Sequence, residues 1–293
     1  MGDNMWNGDR VSVVLMTYRE RDSIRSVVDG FEATGVVDEI IVVNNNAEAG
    51  TSEAIAGSFA REVHEPKQGY GFATRKGLEV ATGDLVVLAE PDGTFDPNDI
   101  IKMLAYSDQF DAVFGTRTHR QMIWRDANMG FALRYGNLAV AKLVNLLFPP
   151  AALTDVGCTY RLLHRDLLER VLPRLRIGGS QLGPELMITA MLERGRHVEV
   201  PVNYRARVGT SSVTGDLGKA IVLGMQMIGL IVSLRIRSLG HRATRKYGPT
   251  SRPRQLELSA TGEGDVDEVV IDVRAHAPDA AESTRRPPRS AAV

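Results

Sequence analysis

Through the first 115 residues, short continuous apolar runs alternate with stretches of helical spacing. The runs at 11–16, 40–43, 85–89 and 112–114 predict strands, and those at 22–33, 51–59, 72–81 and 98–106 predict helices. Asp22 is the expected N-cap of the first helix, and Gly83 ends the third. Strands apolar at every position, rather than at every second one, are strands covered on both faces. Their alternation with helices therefore predicts an α/β fold built on a doubly wound, mostly parallel sheet. Ligands of such sheets sit beyond the carboxyl ends of the strands. The polar clusters fall there: 17–20, 44–46 and 90–94.

The pattern changes in the second half. A long helix is expected over 128–148, stopped by Pro149 and Pro150. Strand-like segments follow at 158–163 and 198–204, with a helix between them at 182–193. A second apolar helix is expected over 219–239. Beyond 241 the chain turns rich in Pro, Arg, Ser and Ala, a composition expected to be disordered.

Composition narrows the function classes. Apolar residues make up 43% and charged residues 24% of the 293, so a sizeable core is expected. The formal net charge of −1 gives no support for nucleic-acid binding. The single cysteine, Cys158, cannot form an internal disulfide, which fits a reducing compartment; it is expected to pack as a small apolar group. The polar first ten residues do not read as a signal peptide.

The sharpest chemical feature is Glu90-Pro91-Asp92-Gly93, directly after an apolar strand. Two carboxylates one residue apart at a strand end can converge on one hard cation, Mg²⁺ or Mn²⁺, which then bridges a diphosphate. The same triplet also reads as a Pro-Gly turn with solvated acids. Arg117, Arg134 and Arg207 are candidate phosphate ligands, because a guanidinium binds phosphate through two parallel hydrogen bonds. Each also reads as solvated surface arginine. Asp155 reads equally as a general base or a turn acid, and Arg161 as its structural ion-pair partner. Gly69-Tyr70-Gly71, opening a helix, could offer amides to a diphosphate, with Lys67 and Arg75 in support.

Taken as an ordered set, 11–20, 40–51, 69–83 and 85–92 resemble the family-two, GT-A-fold inverting glycosyltransferases. The resemblance implies that Asp92 holds the metal and that Glu90 faces the ribose and sugar. It also implies nucleotide-sugar contacts from Thr17, Tyr18, Glu20, Asn44 and Asn46. The family often has two acids where this chain has Asn44-Asn45-Asn46. The second half resembles the polyprenyl-phosphate sugar synthase branch through Gly115-Thr116-Arg117, Arg134-Tyr135-Gly136-Asn137, 154–161, Glu185 and the 201–212 loop. That branch implies phosphate or acceptor contacts from Arg117, Arg134, Arg207 and Ser211, and transfer from a UDP- or GDP-sugar to a polyprenyl phosphate with inversion. Ser212 stands where the branch usually has Lys. The expected organisation is a catalytic domain over 8–215, a membrane-docking helix over 216–240 and a tail over 241–293. The apolar stretch 220–234 covers only about 22 Å at 1.5 Å per residue, short of a roughly 30 Å hydrocarbon core. Arg235, Arg237, Arg242, Arg245, Lys246, Arg252 and Arg254 follow it. This places the expected enzyme peripherally, on the cytoplasmic face of the cell membrane. The rival readings are transfer to a cell-wall glycan or other acceptor, a nucleotidyltransferase, and a non-catalytic sugar-nucleotide-binding membrane protein.

Overall fold

The computed structural model describes residues 5–123, 131–149, 151–208 and 217–239, all within one compact unit. Seven strands form one sheet in the order β3-β2-β1-β4-β6-β5-β7. They are β1 (Val11–Thr17), β2 (Glu39–Asn44), β3 (Ala60–His64), β4 (Leu85–Ala89), β5 (Ala112–Thr116), β6 (Arg161–His164) and β7 (His197–Pro201). Every residue of β1, β4 and β5 is buried, as their predominantly apolar runs predict, with Ser12, Thr17 and Thr116 as buried polar members. β1 runs parallel to β2, with Val14 beside Ile41, and to β4, with Leu15 beside Ala89.

β6 is antiparallel to both its neighbours, placing Arg161 beside Leu88 on β4 and Phe114 on β5. This reversal brings the segment before β6 to the same sheet edge as the carboxyl ends of β4 and β5. The sheet is thus mostly parallel, as the alternation predicts, with β6 reversed between β4 and β5.

Helices cover both faces. On one side lie α1 (Arg21–Glu32) and α4 (Ile100–Ala105), whose Ile24, Val28, Ile100 and Leu104 meet Val13, Leu15 and Val87. On the other lie α3 (Tyr70–Val80), α5 (Phe131–Leu147), α6 (Arg165–Val171), α7 (Leu182–Leu192) and α8 (Leu217–Ser238). α8 is continuous with the core through buried Ile231 and Leu234, so it packs on the catalytic unit along one face. α2 (Thr51–Ile55) is shorter than predicted, because Gly57 turns with φ +69° and releases the chain into β3. The sequence reading did not anticipate β3: its pattern Ala-Arg-Glu-Val-His is that of a half-exposed edge strand. Asp22 lies within the first turn of α1, and Glu20 takes the N-cap position instead.

Among the described residues, no helix is long and apolar enough to cross a membrane. The expected tail, 241–293, lies outside the described residues.

Candidate active site

The carboxyl ends of β1, β2, β4 and β5 share one edge, and the acids and arginines singled out above gather there. Immediately past β4, Asp92 is buried, with 1% of its surface exposed. Its Oδ1 accepts from Thr94 N (2.9 Å) and Thr94 Oγ1 (2.6 Å). This local turn fixes the side chain. Its Oδ2 lies 2.6 Å from Arg207 Nη2 but off the hydrogen-bond direction, so among the described residues this buried oxygen has no hydrogen-bond partner. Glu90 Oε2 accepts from the same Nη2 at 3.2 Å. The Glu90 carboxyl is pushed up to about 7, first by burial and then by the neighbouring Asp92 charge.

Two crowded carboxylates, one with an orphaned buried oxygen, fit a hard cation that takes further oxygens from a bound diphosphate. Among the described residues, no group of three or more His, Cys, Asp or Glu forms a closed metal cage.

Arg117 follows β5 and is clamped by Asp155. Arg117 Nε and backbone N donate to Oδ2 (2.8 and 3.0 Å), and Nη2 donates to Oδ1 (3.0 Å). Asn137 on α5 and Gly157 N also donate to Oδ1. Asp155 is fully buried. Burial opposes its charge, yet the Arg117 contacts hold the carboxyl below its ordinary range and raise Arg117 well above its own. With both oxygens engaged, Asp155 has the geometry of a clamp that aims Arg117, not of a base open to an acceptor. The expected Arg161–Asp155 ion pair is replaced by this one; buried Arg161 donates to the Val156 carbonyl at 3.1 Å. The Arg117 guanidinium lies over the Tyr204 ring at 5.2 Å, and Glu199 accepts from the backbone N of Thr154 (2.7 Å) and Asp155 (3.0 Å).

On the β1–β2 side, Thr17 is buried and Tyr18 exposed. Glu20 accepts from the backbone N of Tyr18 (2.7 Å) and Arg19 (2.8 Å), stiffening the loop that presents them. The asparagines are structural ties: Asn44 Nδ2 donates to Glu62 Oε1 (2.7 Å) and Asn46 Nδ2 to Pro66 O (3.0 Å). Buried Asn45 anchors the following loop by donating to Glu65 O (2.7 Å) and Lys67 O (2.9 Å).

The glycine-rich helix start is not a free amide cradle. Gly69 N donates to Asn45 Oδ1 and Gly71 N to Gly178 O, each at 2.8 Å. A Cβ on Gly71 would stand 2.4 Å from Ile177 O, so the glycine serves close packing. Lys67 Nζ lies over the Phe72 ring at 3.9 Å, and Arg75 faces Glu79 at 3.9 Å. Arg134 falls in the first turns of α5, its side chain outside the described set, and Ser211 lies outside the described residues.

Thr94, Asn137, Glu199 and Tyr204 carry the site's geometry without having been assigned roles from sequence. A Thr two residues past an Asp was a readable signal for the first. The other three depend on partners distant in the chain.

The model of glycosyl transferase family 2 matches residues 12–172. This chain belongs to glycosyl transferase family 2. It is therefore a glycosyltransferase, with the acid pair lying inside the family segment. A dolichyl-phosphate hexose transferase of Haloferax volcanii is 27% identical over 231 residues, covering 78% of this chain and 97% of the relative. An uncharacterised glycosyltransferase of Mycobacterium tuberculosis is 29% identical over 217 residues, covering 73% and 94%. Glucosyl-3-phosphoglycerate synthase of M. tuberculosis, solved with Mn²⁺, UDP and phosphoglyceric acid, superposes with a TM-score of 0.62. It shares 20% identity, with 81% of each chain covered, and establishes the GT-A type of fold.

Proposed function

We propose that this family 2 enzyme moves a hexosyl group from a UDP- or GDP-sugar to a polyprenyl phosphate at the cytoplasmic face of a membrane, with inversion. The reading requires Mg²⁺ or Mn²⁺. The observation that carries it is the Glu90–Asp92 pair at the end of β4, with Asp92 Oδ2 lacking a hydrogen bond among the described residues and lying 2.6 Å from the Arg207 guanidinium. Asp92 and Glu90 would hold the cation, which when bound supplies Lewis-acid stabilisation of the leaving diphosphate. Arg117, aimed by Asp155, offers a fixed guanidinium to a phosphate oxygen at the same edge. A phosphate acceptor is already ionised near neutral pH, so attack needs no strong base. This agrees with the closed geometry of Asp155.

The lipid acceptor is supported by the name of the Haloferax relative and by α8. Val222, Met225, Ile228, Val232 and Ile236 form an exposed apolar stripe at helical spacing on α8, and exposed Leu239 follows its end. Arg235 and Arg237 close the helix. An apolar stripe with a basic end suits the surface of an anionic bilayer, at about 1 kcal/mol per basic residue.

A donor panel of UDP- and GDP-sugars, offered with a short polyprenyl phosphate or with phosphoglycerate, with and without Mn²⁺, tests the reading. Glycolipid product only with metal is expected. Transfer to phosphoglycerate but not to polyprenyl phosphate overturns the acceptor assignment.

A further inference from the structure

Arg207 occupies an unusual place for a phosphate-binding side chain. Its Nη2 bridges both acids, 2.6 Å from Asp92 Oδ2 and 3.2 Å from Glu90 Oε2. The segment that carries it is fastened along the acid loop. Arg205 N donates to Thr94 O (2.8 Å) and Val208 N to Asp92 O (2.9 Å). Tyr204 forms an antiparallel bridge with Phe95, and the Arg205 side chain pairs with Asp96. Residues 204–208 thus form a strap over 92–96, with Arg207 inserted between the two carboxylates.

We propose that Arg207 is a resident counter-cation that holds the acid pair in the resting enzyme and must be displaced for the divalent metal to enter. Three observations carry this. A buried carboxylate, Asp92, crowded by the partly exposed Glu90 is unfavourable without a cation, and the guanidinium supplies the missing charge. Its nitrogen already stands within salt-bridge distance of both acids, so a hard cation taking oxygens from each claims the same space. The close contact to Asp92 Oδ2 is not directed as a hydrogen bond, so it is weaker than the bond a metal would make there. Arg207 is only partly buried, with 30% of its side chain exposed, and can swing outward without crossing the core. Once displaced, it remains at the rim, where a donor diphosphate gives its charge a new partner. The metal and the donor then reinforce each other's binding, because each relieves a charge the other leaves uncompensated.

This inference rests on the metal-dependent reading above, and its test separates the two. Mn²⁺ affinity is measured without donor, by the loss of the free-ion EPR signal on titration, for the parent, Arg207→Gln, Arg207→Lys and Asp92→Asn. Circular dichroism checks the fold of each. Arg207→Gln should bind Mn²⁺ roughly ten- to a hundredfold more tightly than the parent, the range that loss of a competing charge-assisted contact implies. Arg207→Lys, which keeps the charge, should stay near the parent. Equal or weaker binding by Arg207→Gln overturns the counter-cation role while leaving the metal site intact. Undiminished binding by Asp92→Asn instead overturns the metal site itself, and the counter-cation role with it.

Discussion

Replacing Asp155 with asparagine isolates the clamp on Arg117. The native carboxylate accepts from Arg117 three times, from Asn137 and from Gly157 N, with no exposure to water. An asparagine keeps one acceptor oxygen and turns the other position into a donor facing donors. It also leaves the guanidinium, only 15% exposed, without its counter-charge. Removing one partner of a buried ion pair costs about 3–5 kcal/mol, and the retained acceptor puts Asp155→Asn near 3 kcal/mol. Urea unfolding followed by circular dichroism at pH 7 measures this. The pH dependence supplies an independent check. The folded carboxyl is held below its ordinary value, so on acidification the unfolded chain takes up the proton first. The group's stabilisation is therefore complete above the unfolded value of about 3.9 and is lost as pH falls through the folded value. The gap between parent and variant should narrow below about pH 4. A variant within about 0.5 kcal/mol of the parent at pH 7, the usual range for a surface change, refutes the clamp. A large fall in turnover with stability intact would restore Asp155 as a base.

Three further outcomes follow from the same geometry. Asp92→Asn should lose at least about a hundredfold in turnover while keeping its fold, since a charged metal ligand goes but the Thr94 acceptor stays; steady-state kinetics beside thermal melting checks both. Gly71→Ala should destabilise by about 1–3 kcal/mol, because its Cβ meets backbone of the 177–178 segment rather than a yielding side chain; denaturant midpoints read it. Cys158, buried with its thiol pushed up to about 12 by burial, should resist iodoacetamide in the native protein and react only on unfolding, as mass spectrometry would show.

The parts of this molecule readable from sequence are those whose signal is local. β1, β2, β4 and β5 declared themselves as largely apolar runs because both faces of each are covered. The acid pair was visible because it follows β4 within three residues. The 17-residue α5 and 22-residue α8 were found, since a long apolar period is hard to mistake. What escaped depends on distant partners. β3 pairs by backbone at an edge and hides its apolar content. The reversal of β6 leaves no mark in the residues of β6 itself. Asp155 and Arg161 share one short segment, and sequence proximity suggested a pair. The fold instead hands Asp155 to Arg117, on the far side of α5, because β5 delivers that residue to the same edge. Gly69 and Gly71 carried a pattern suited to anion binding, but the 177–178 segment, more than a hundred residues on, claims their surroundings.

The antiparallel β6 bears on the order in which the enzyme can assemble during synthesis. The strands β1 to β4 join in one contiguous stretch of chain, so the edge that holds Asp92 can form early. β4 gains its other neighbour only when β6 arrives, and β5 reaches the sheet only through β6. Pairings this distant form slowly, because chain closure precedes any gain from contact. The acids at the end of β4 must therefore emerge from the ribosome well before Arg207, the cation that neutralises them. For that interval the nascent half-sheet carries an uncompensated negative edge, which keeps like copies apart while the exposed flank of β4 waits for its partner.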